Sequence, residues 1–146
     1  MTKPEPESLD RLFAQICRLK HARVRTLLEA LGLYRGQPSV LHALWEEEGL
    51  THTELARHLR VQPATITKMI QRMEKAGFVE RRPDLHDQRV SRVYLTEAGH
   101  AIRAEVQQVW RALEVEAFAG FTQEERLLLQ RFFLQIRENL VRATGG

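Results

Sequence analysis

The sequence predicts a mainly α-helical chain carrying one small β-hairpin, and three observations predict it. Apolar residues recur at three- and four-residue steps through most of the 146 residues. Two capping boxes, Thr51 with Glu54 and Thr122 with Glu125, mark helix starts. One stretch, residues 82–96 (RPDLHDQRVSRVYLT), breaks the helical pattern with a charged, turn-rich tip and a short alternating apolar run.

The first residues, MTKPEPES, are polar and proline-rich and read as a frayed arm, not a signal peptide. From Leu9 to Leu31 the positions Leu9, Leu12, Phe13, Ile16, Leu19, Val24, Leu27, Leu28 and Leu31 form the stripe of a long amphipathic helix, with Gly32 as its stop. A second helix is expected over about 37–48, with Pro38 in its first turn and Gly49 closing it. Thr51 opens a helix of barely two turns whose apolar face is Leu55, Ala56 and Leu59. The joint RVQP leads into a further helix beginning at Pro63, with Ile66, Met69, Ile70 and Met73 inward and Gly77 as the stop. FVERR and RVSRVYL then bracket the polar turn PDLHDQ, with Val93 and Leu95 on one face and Arg92 and Tyr94 on the other. Thr96 caps a long helix reaching about Gly120, and Thr122 opens the last one.

That last helix carries two apolar surfaces. Leu128, Leu129, Phe132, Phe133, Ile136 and Leu140 cover one broad face, and Leu127, Leu134 and Val141, seven residues apart, form a second stripe. A terminal helix of a small monomer needs one apolar face. Two faces favour a partner subunit over internal packing against the first and fifth helices.

Composition narrows the class. No apolar run approaches the ~20 residues that span a bilayer. The single cysteine, Cys17, has no partner within the chain, which suits a reducing cytoplasm. Net charge is +3, and its distribution says more. Residues 57–92 hold nine Lys/Arg against four acids, a net +5, while the segments on either side are each −1. A central basic patch attracts polyanions. There is no P-loop, dinucleotide glycine pattern, HExxH helix or nucleophile elbow, so the chain is not expected to be an enzyme.

A short helix, a tight turn, a basic helix and a hairpin with a charged tip make a winged helix-turn-helix. A helix fits the major groove of duplex DNA and its N-terminal residues reach base edges. The residues offered there are Gln62, Thr65, Thr67, Lys68, Gln71 and Arg72. A hairpin tip is narrow enough for the minor groove, where an arginine meets enhanced negative potential. Arg89 is the candidate, with Asp87 holding its guanidinium and Arg82 and Arg92 along the flanking phosphates.

The ordered set Met73-Glu74-Lys75-Ala76-Gly77-Phe78-Val79-Glu80-Arg81, Asp87-Gln88-Arg89 and Val93-Tyr94-Leu95-Thr96-Glu97-Ala98-Gly99 resembles the core of the MarR family of multiple-antibiotic-resistance regulators. The resemblance implies a homodimer on a pseudo-palindromic operator, usually a repressor released by a small ligand or oxidant. It implies that Arg89 is the wing-tip arginine and Asp87 its orienting partner. It also divides the chain into an N-terminal dimerisation helix (1–35), the winged helix-turn-helix (36–97) and C-terminal dimerisation helices (98–146), one continuous folded unit. Gln62 departs from the pattern, since Ser or Asp would cap the following helix better. By the same resemblance a small aromatic or phenolic effector would lie between the first, second and fifth helices, against His21, Arg25, His42 and Trp45. A constitutive DNA-binding or architectural module without ligand sensing is the alternative.

Remaining residues receive plainer readings. Cys17 is expected to be a buried structural cysteine. Cys17/His21 and His42/Glu46 share i, i+4 spacing, but such spacings arise by chance, and neither a metal nor a cofactor is expected. Trp110 and Phe118 read as dimer or core packing, and the acidic WEEEG as a solvated helix end.

Overall fold

The computed structural model describes residues 6–145; the arm expected at the N-terminus lies largely outside them, and Pro6, Glu7 and Ser8 precede the first helix without regular structure. Six helices and three strands follow in the order α1 (Leu9–Glu29), α2 (Gln37–Glu46), β1 (Leu50–Thr51), α3 (His52–Leu59), α4 (Pro63–Lys75), β2 (Val79–Pro83), β3 (Ser91–Leu95), α5 (Glu97–Ala117) and α6 (Gln123–Ala143). None of these helices is long and apolar enough to cross a membrane.

The chain divides into two compact units after Trp110. In the first, the core is built from Leu33, Val40, Leu41 and Leu44 around α2, Leu55 on α3, Ile66, Ile70 and Met73 on α4, and Val79, Val93 and Leu95 on the strands. Ile102, Val106 and Val109 add the inner face of α5. Each large side chain removed from water contributes roughly 1.5–3 kcal/mol. These few positions therefore hold the short α3 and α4, which would not persist alone.

The expected hairpin is the larger part of a three-stranded antiparallel sheet of order β1-β3-β2. Its register sets Val79 against Leu95, Arg81 against Val93 and Arg82 against Arg92. The third strand, β1, pairs Leu50 with Val93 and Thr51 with Arg92. Two residues are too few for an alternating pattern, and Thr51 also caps α3, so its strand role is hidden beneath its cap role. Both predicted capping boxes form, at Thr51/Glu54 and at Thr122/Glu125. The α3–α4 turn starts at Arg60, the one positive-φ non-glycine among the described residues (φ 55°), a conformation costing about 1 kcal/mol for a residue with a Cβ.

Two close approaches lock the basic helix and the sheet to their neighbours. Gly36 abuts Met69 of α4, so that a Cβ would stand 2.6 Å from the Met69 methyl. Gly99, in the first turn of α5, faces the base of the wing; a Cβ there would stand 2.1 Å from the Phe78 carbonyl oxygen. Beside it the Thr96 hydroxyl donates to the Gly77 carbonyl (2.5 Å) and accepts from the Gly99 amide (3.1 Å).

The stripe expected on α1 behaves differently from the prediction. Leu28 is its one buried residue, while Leu9, Leu12, Phe13, Ile16 and Leu19 are exposed. Cys17 is half-buried, not buried, because the stripe it belongs to is uncovered. In the second unit, residues 111–146, Phe118 packs its ring against Phe121 and Phe133. No described residue of α6 is buried: Leu127, Leu128, Phe132, Phe133, Leu134, Ile136, Leu140 and Val141 are all exposed.

Candidate nucleic-acid interface

The basic helix α4 is amphipathic in the sense that matters for a groove. Ile66, Ile70 and Met73 face the core, and Gln62, Thr65, Lys68, Gln71 and Arg72 are exposed. Gln62 occupies the N-cap without a side-chain capping bond, so its amide stays available. Thr67 is the exception. Its hydroxyl donates to the Pro63 carbonyl (3.1 Å) and lies 3.2 Å from Nδ1 of His52, so it is turned into the protein.

The wing is stiffened from its tip downward. Asp84 accepts from the amides of His86 (3.0 Å) and Asp87 (2.9 Å), closing the turn. Asp84 also receives Nε of Arg92 at 2.6 Å, and Arg92 donates to the Gly49 carbonyl at 2.8 Å. The Arg92 charge and those amides hold the Asp84 carboxyl below its ordinary value, the Arg92 bond being the largest cause. Beyond this frame Asp87 accepts from both the amide and Nε of Arg89, each at 3.1 Å. Arg89 is 91% exposed, aimed by Asp87 and covered by little else. Leu85, which the sequence did not single out, is 95% exposed at the same tip.

The other wing arginines are tied to the protein. Arg82 pairs with Glu80 and stacks on the Tyr94 ring, 4.3 Å from its centroid. Arg81, at the wing base, forms a two-pronged bond to Glu74 of α4, both contacts 3.1 Å. The predicted basic surface thus separates into outward-reaching cations (Lys68, Arg72 and, aimed by Asp87, Arg89) and ones braced against the protein (Arg81, Arg82, Arg92).

The predicted effector residues separate too. A cavity of about 710 Å³ lies among α2, α3 and α5, with His42, Trp45, His58, Arg103 and Trp110 in its wall. His21 and Arg25, expected beside His42 and Trp45, are exposed on α1 and outside that lining. Arg103 stands 5.8 Å from the Trp45 ring centroid, and Trp45 Nε1 donates to the Gly99 carbonyl at 2.9 Å. Neither Arg103 nor His58 carries a local motif; their meeting depends on how α3 and α5 approach α2. His42 pairs instead with Glu46 at 3.3 Å, and among the described residues no three His, Cys, Asp or Glu side chains gather as metal ligands.

A short helix, an exposed basic helix and an arginine-tipped hairpin on one small sheet define a winged-helix DNA-binding protein. Residues 33–91 match the MarR family. The chain is 30% identical to the HTH-type transcriptional regulator TtmR of Methylorubrum extorquens, over 99% of this chain and 75% of that protein. It is 32% identical to the HTH-type transcriptional repressor IacR of Pseudomonas putida, over 78% of this chain and 68% of that one. The reduced form of MarR from E. coli superposes with a TM-score of 0.74 at 28% identity, covering 90% of this chain and 98% of that one. The chain belongs to the MarR family of transcriptional regulators.

Proposed function

We propose that the protein works in the cytoplasm as a homodimeric repressor on a pseudo-palindromic operator in double-stranded DNA, and that a small aromatic or phenolic effector releases it. One observation carries the DNA reading: Arg89, held out by Asp87, stands on the same compact unit as the exposed Gln62, Thr65, Lys68, Gln71 and Arg72. Backbone phosphates supply most of the affinity for such a surface, and base edges supply the selectivity. Arg82 and Arg92 then act by stiffening the wing that runs along the phosphates, and Thr67 by holding α4.

The homodimer is supported by α6. Apart from the contact of Phe133 with Phe118, a helix with no buried side chain gains little from its apolar residues within one chain. A second copy covers them by two-fold symmetry, which also matches the symmetry of a palindromic site. Repression is supported by the naming of IacR as a repressor. Effector release is supported by the α2–α3–α5 cavity, whose Trp45 and Trp110 suit an aromatic ring and whose Arg103 suits an acid group. Trp45 joins that cavity to the wing base through Gly99, so an occupant that moves Trp45 acts on the sheet.

The test is a gel-shift against a duplex selected from a random-sequence pool, repeated over a salt series. Binding is expected to weaken with a log–log slope of magnitude at least about 4, from the phosphates two subunits neutralise. No retarded complex at about 50 mM salt would sink the proposal, since electrostatic binding is strongest there. Phenolic acids are then added. A complex they leave intact points to the constitutive DNA-binding module instead.

A further inference from the structure

We propose that His52 is a positioning residue of the DNA-binding unit: neutral, with its proton on Nδ1, it fixes the recognition helix α4 through Thr67, and a second proton on Nε2 loosens that helix. The inference rests on the DNA-binding reading above.

His52 is the first residue of α3, and its ring reaches across to α4. Nδ1 lies 3.2 Å from the Thr67 hydroxyl. That hydroxyl has one proton and directs it to the Pro63 carbonyl, so Nδ1 is the donor of the pair. Nε2 is buried and meets no hydrogen-bond partner. A bare lone pair there is tolerable. An N–H there is a buried donor without an acceptor, which costs more.

The charged groups acting on the ring are Arg81 of β2 and Glu74 of α4, themselves joined by their two-pronged bond. On its own helix, Glu54 is occupied by the Thr51 amide in the capping box. Burial first, then Arg81, push the imidazole below its ordinary value of 6.5, and Glu74 opposes them. A positive ring at the first turn of α3 also opposes the helix dipole. The sign follows. The folded unit prefers the neutral ring, so its stability is complete above about 6.5 and is lost as pH falls through the lower folded value. Thr67 sits one turn from Gln71 and beside Lys68, so loosening this joint moves the surface that meets DNA.

The test uses the full chain and the selected duplex, with affinity read by fluorescence anisotropy at about pH 7.5 and at successively lower pH down to about pH 4.5, because the His52 ring charges only below its ordinary value. Wild type is expected to lose affinity towards the lower pH, against the general trend that protonated histidines strengthen polyanion binding. His52→Asn keeps a donor at the Nδ1 position and cannot titrate. It is expected to bind like wild type at the upper pH and to escape the acid loss. His52→Leu, lacking the donor, is expected to bind at least about fivefold more weakly at the upper pH. Imidazole ¹⁵N shifts are expected to show the Nδ1–H tautomer at neutral pH. An asparagine variant with the wild-type acid loss, or an Nε2–H tautomer, overturns the proposal. If the leucine variant does not fold, those two readouts still decide. If wild type binds no duplex at the upper pH, the DNA reading fails; the tautomer and the pH dependence of melting, wild type against His52→Asn, then judge the brace alone.

Discussion

Arg89 and Arg92 sit three residues apart and do opposite work. Arg92 spends its guanidinium on Asp84 and the Gly49 carbonyl, while Arg89 is held by Asp87 alone and projects outward. Replacing Arg89 by alanine removes a charge without unpairing a buried group. Arg89→Ala is expected to weaken operator binding at least about tenfold and to flatten the salt slope, with the dimer intact by light scattering. Unchanged affinity at moderate salt would take the wing out of the interface. Asp84 is the more consequential acid. Asp84→Asn is expected to loosen the tip and to weaken DNA binding with Arg89 still present, with the His86 and Asp87 amides losing protection in hydrogen exchange. Because Arg92 and the turn amides depress the Asp84 carboxyl, its support of the wing persists below the usual carboxylate range and fails only as pH falls through that lowered value. The Asp87–Arg89 pair was legible because it is local, two residues apart. Asp84–Arg92 and Arg92–Gly49 were not, because they follow from the register that sets Arg82 opposite Arg92.

Among the elements, α5 governs how the wing meets the rest of the DNA-binding unit. Its first turn contacts the Phe78 carbonyl at Gly99, takes the Thr96 hydroxyl as its cap, and receives the Trp45 indole. There is no room for a methyl group against a backbone oxygen, and a backbone oxygen cannot rotate away as a side chain does. Gly99→Ala is therefore expected to destabilise the protein by at least about 2 kcal/mol, read as a lowered denaturation midpoint. A wild-type midpoint would mean that α5 shifts freely against the sheet. Helices α1 to α6 were readable from period and caps, since both signals lie within one element. The helix-turn-helix was readable from order alone. Strand β1 was not, being two residues whose pairing partner lies more than forty residues away. The cavity was half-readable. His42 and Trp45 share one helix, whereas Arg103, His58 and Trp110 arrive on others, and His21 and Arg25 stay outside.

At the scale of the whole molecule, the apolar residues the chain leaves in water are the ones on which the proposed homodimer rests. Sequence periodicity showed two faces on α6 but could not show that neither is covered, because periodicity records amphipathicity and not its partner. In the other compact unit, Leu9, Ile16 and Leu19 of α1 are likewise exposed. Contiguous apolar surface beyond a few hundred Å² marks an interface in a soluble protein. The stripe Leu127, Leu134 and Val141 repeats every seven residues, the spacing at which helices of two subunits interdigitate. Replacing all three by Gln, Gln and Thr is expected to yield monomers by light scattering, with helical circular dichroism largely kept. Operator affinity should then fall by orders of magnitude, to that of a single half-site, while the separate winged unit keeps its fold through its own core of Leu41, Leu55, Ile70 and Val93. An intact dimer would move the contact to the broad face around Phe132, Phe133 and Ile136. Monomers with undiminished affinity would break the link between symmetry and operator on which two-site recognition depends.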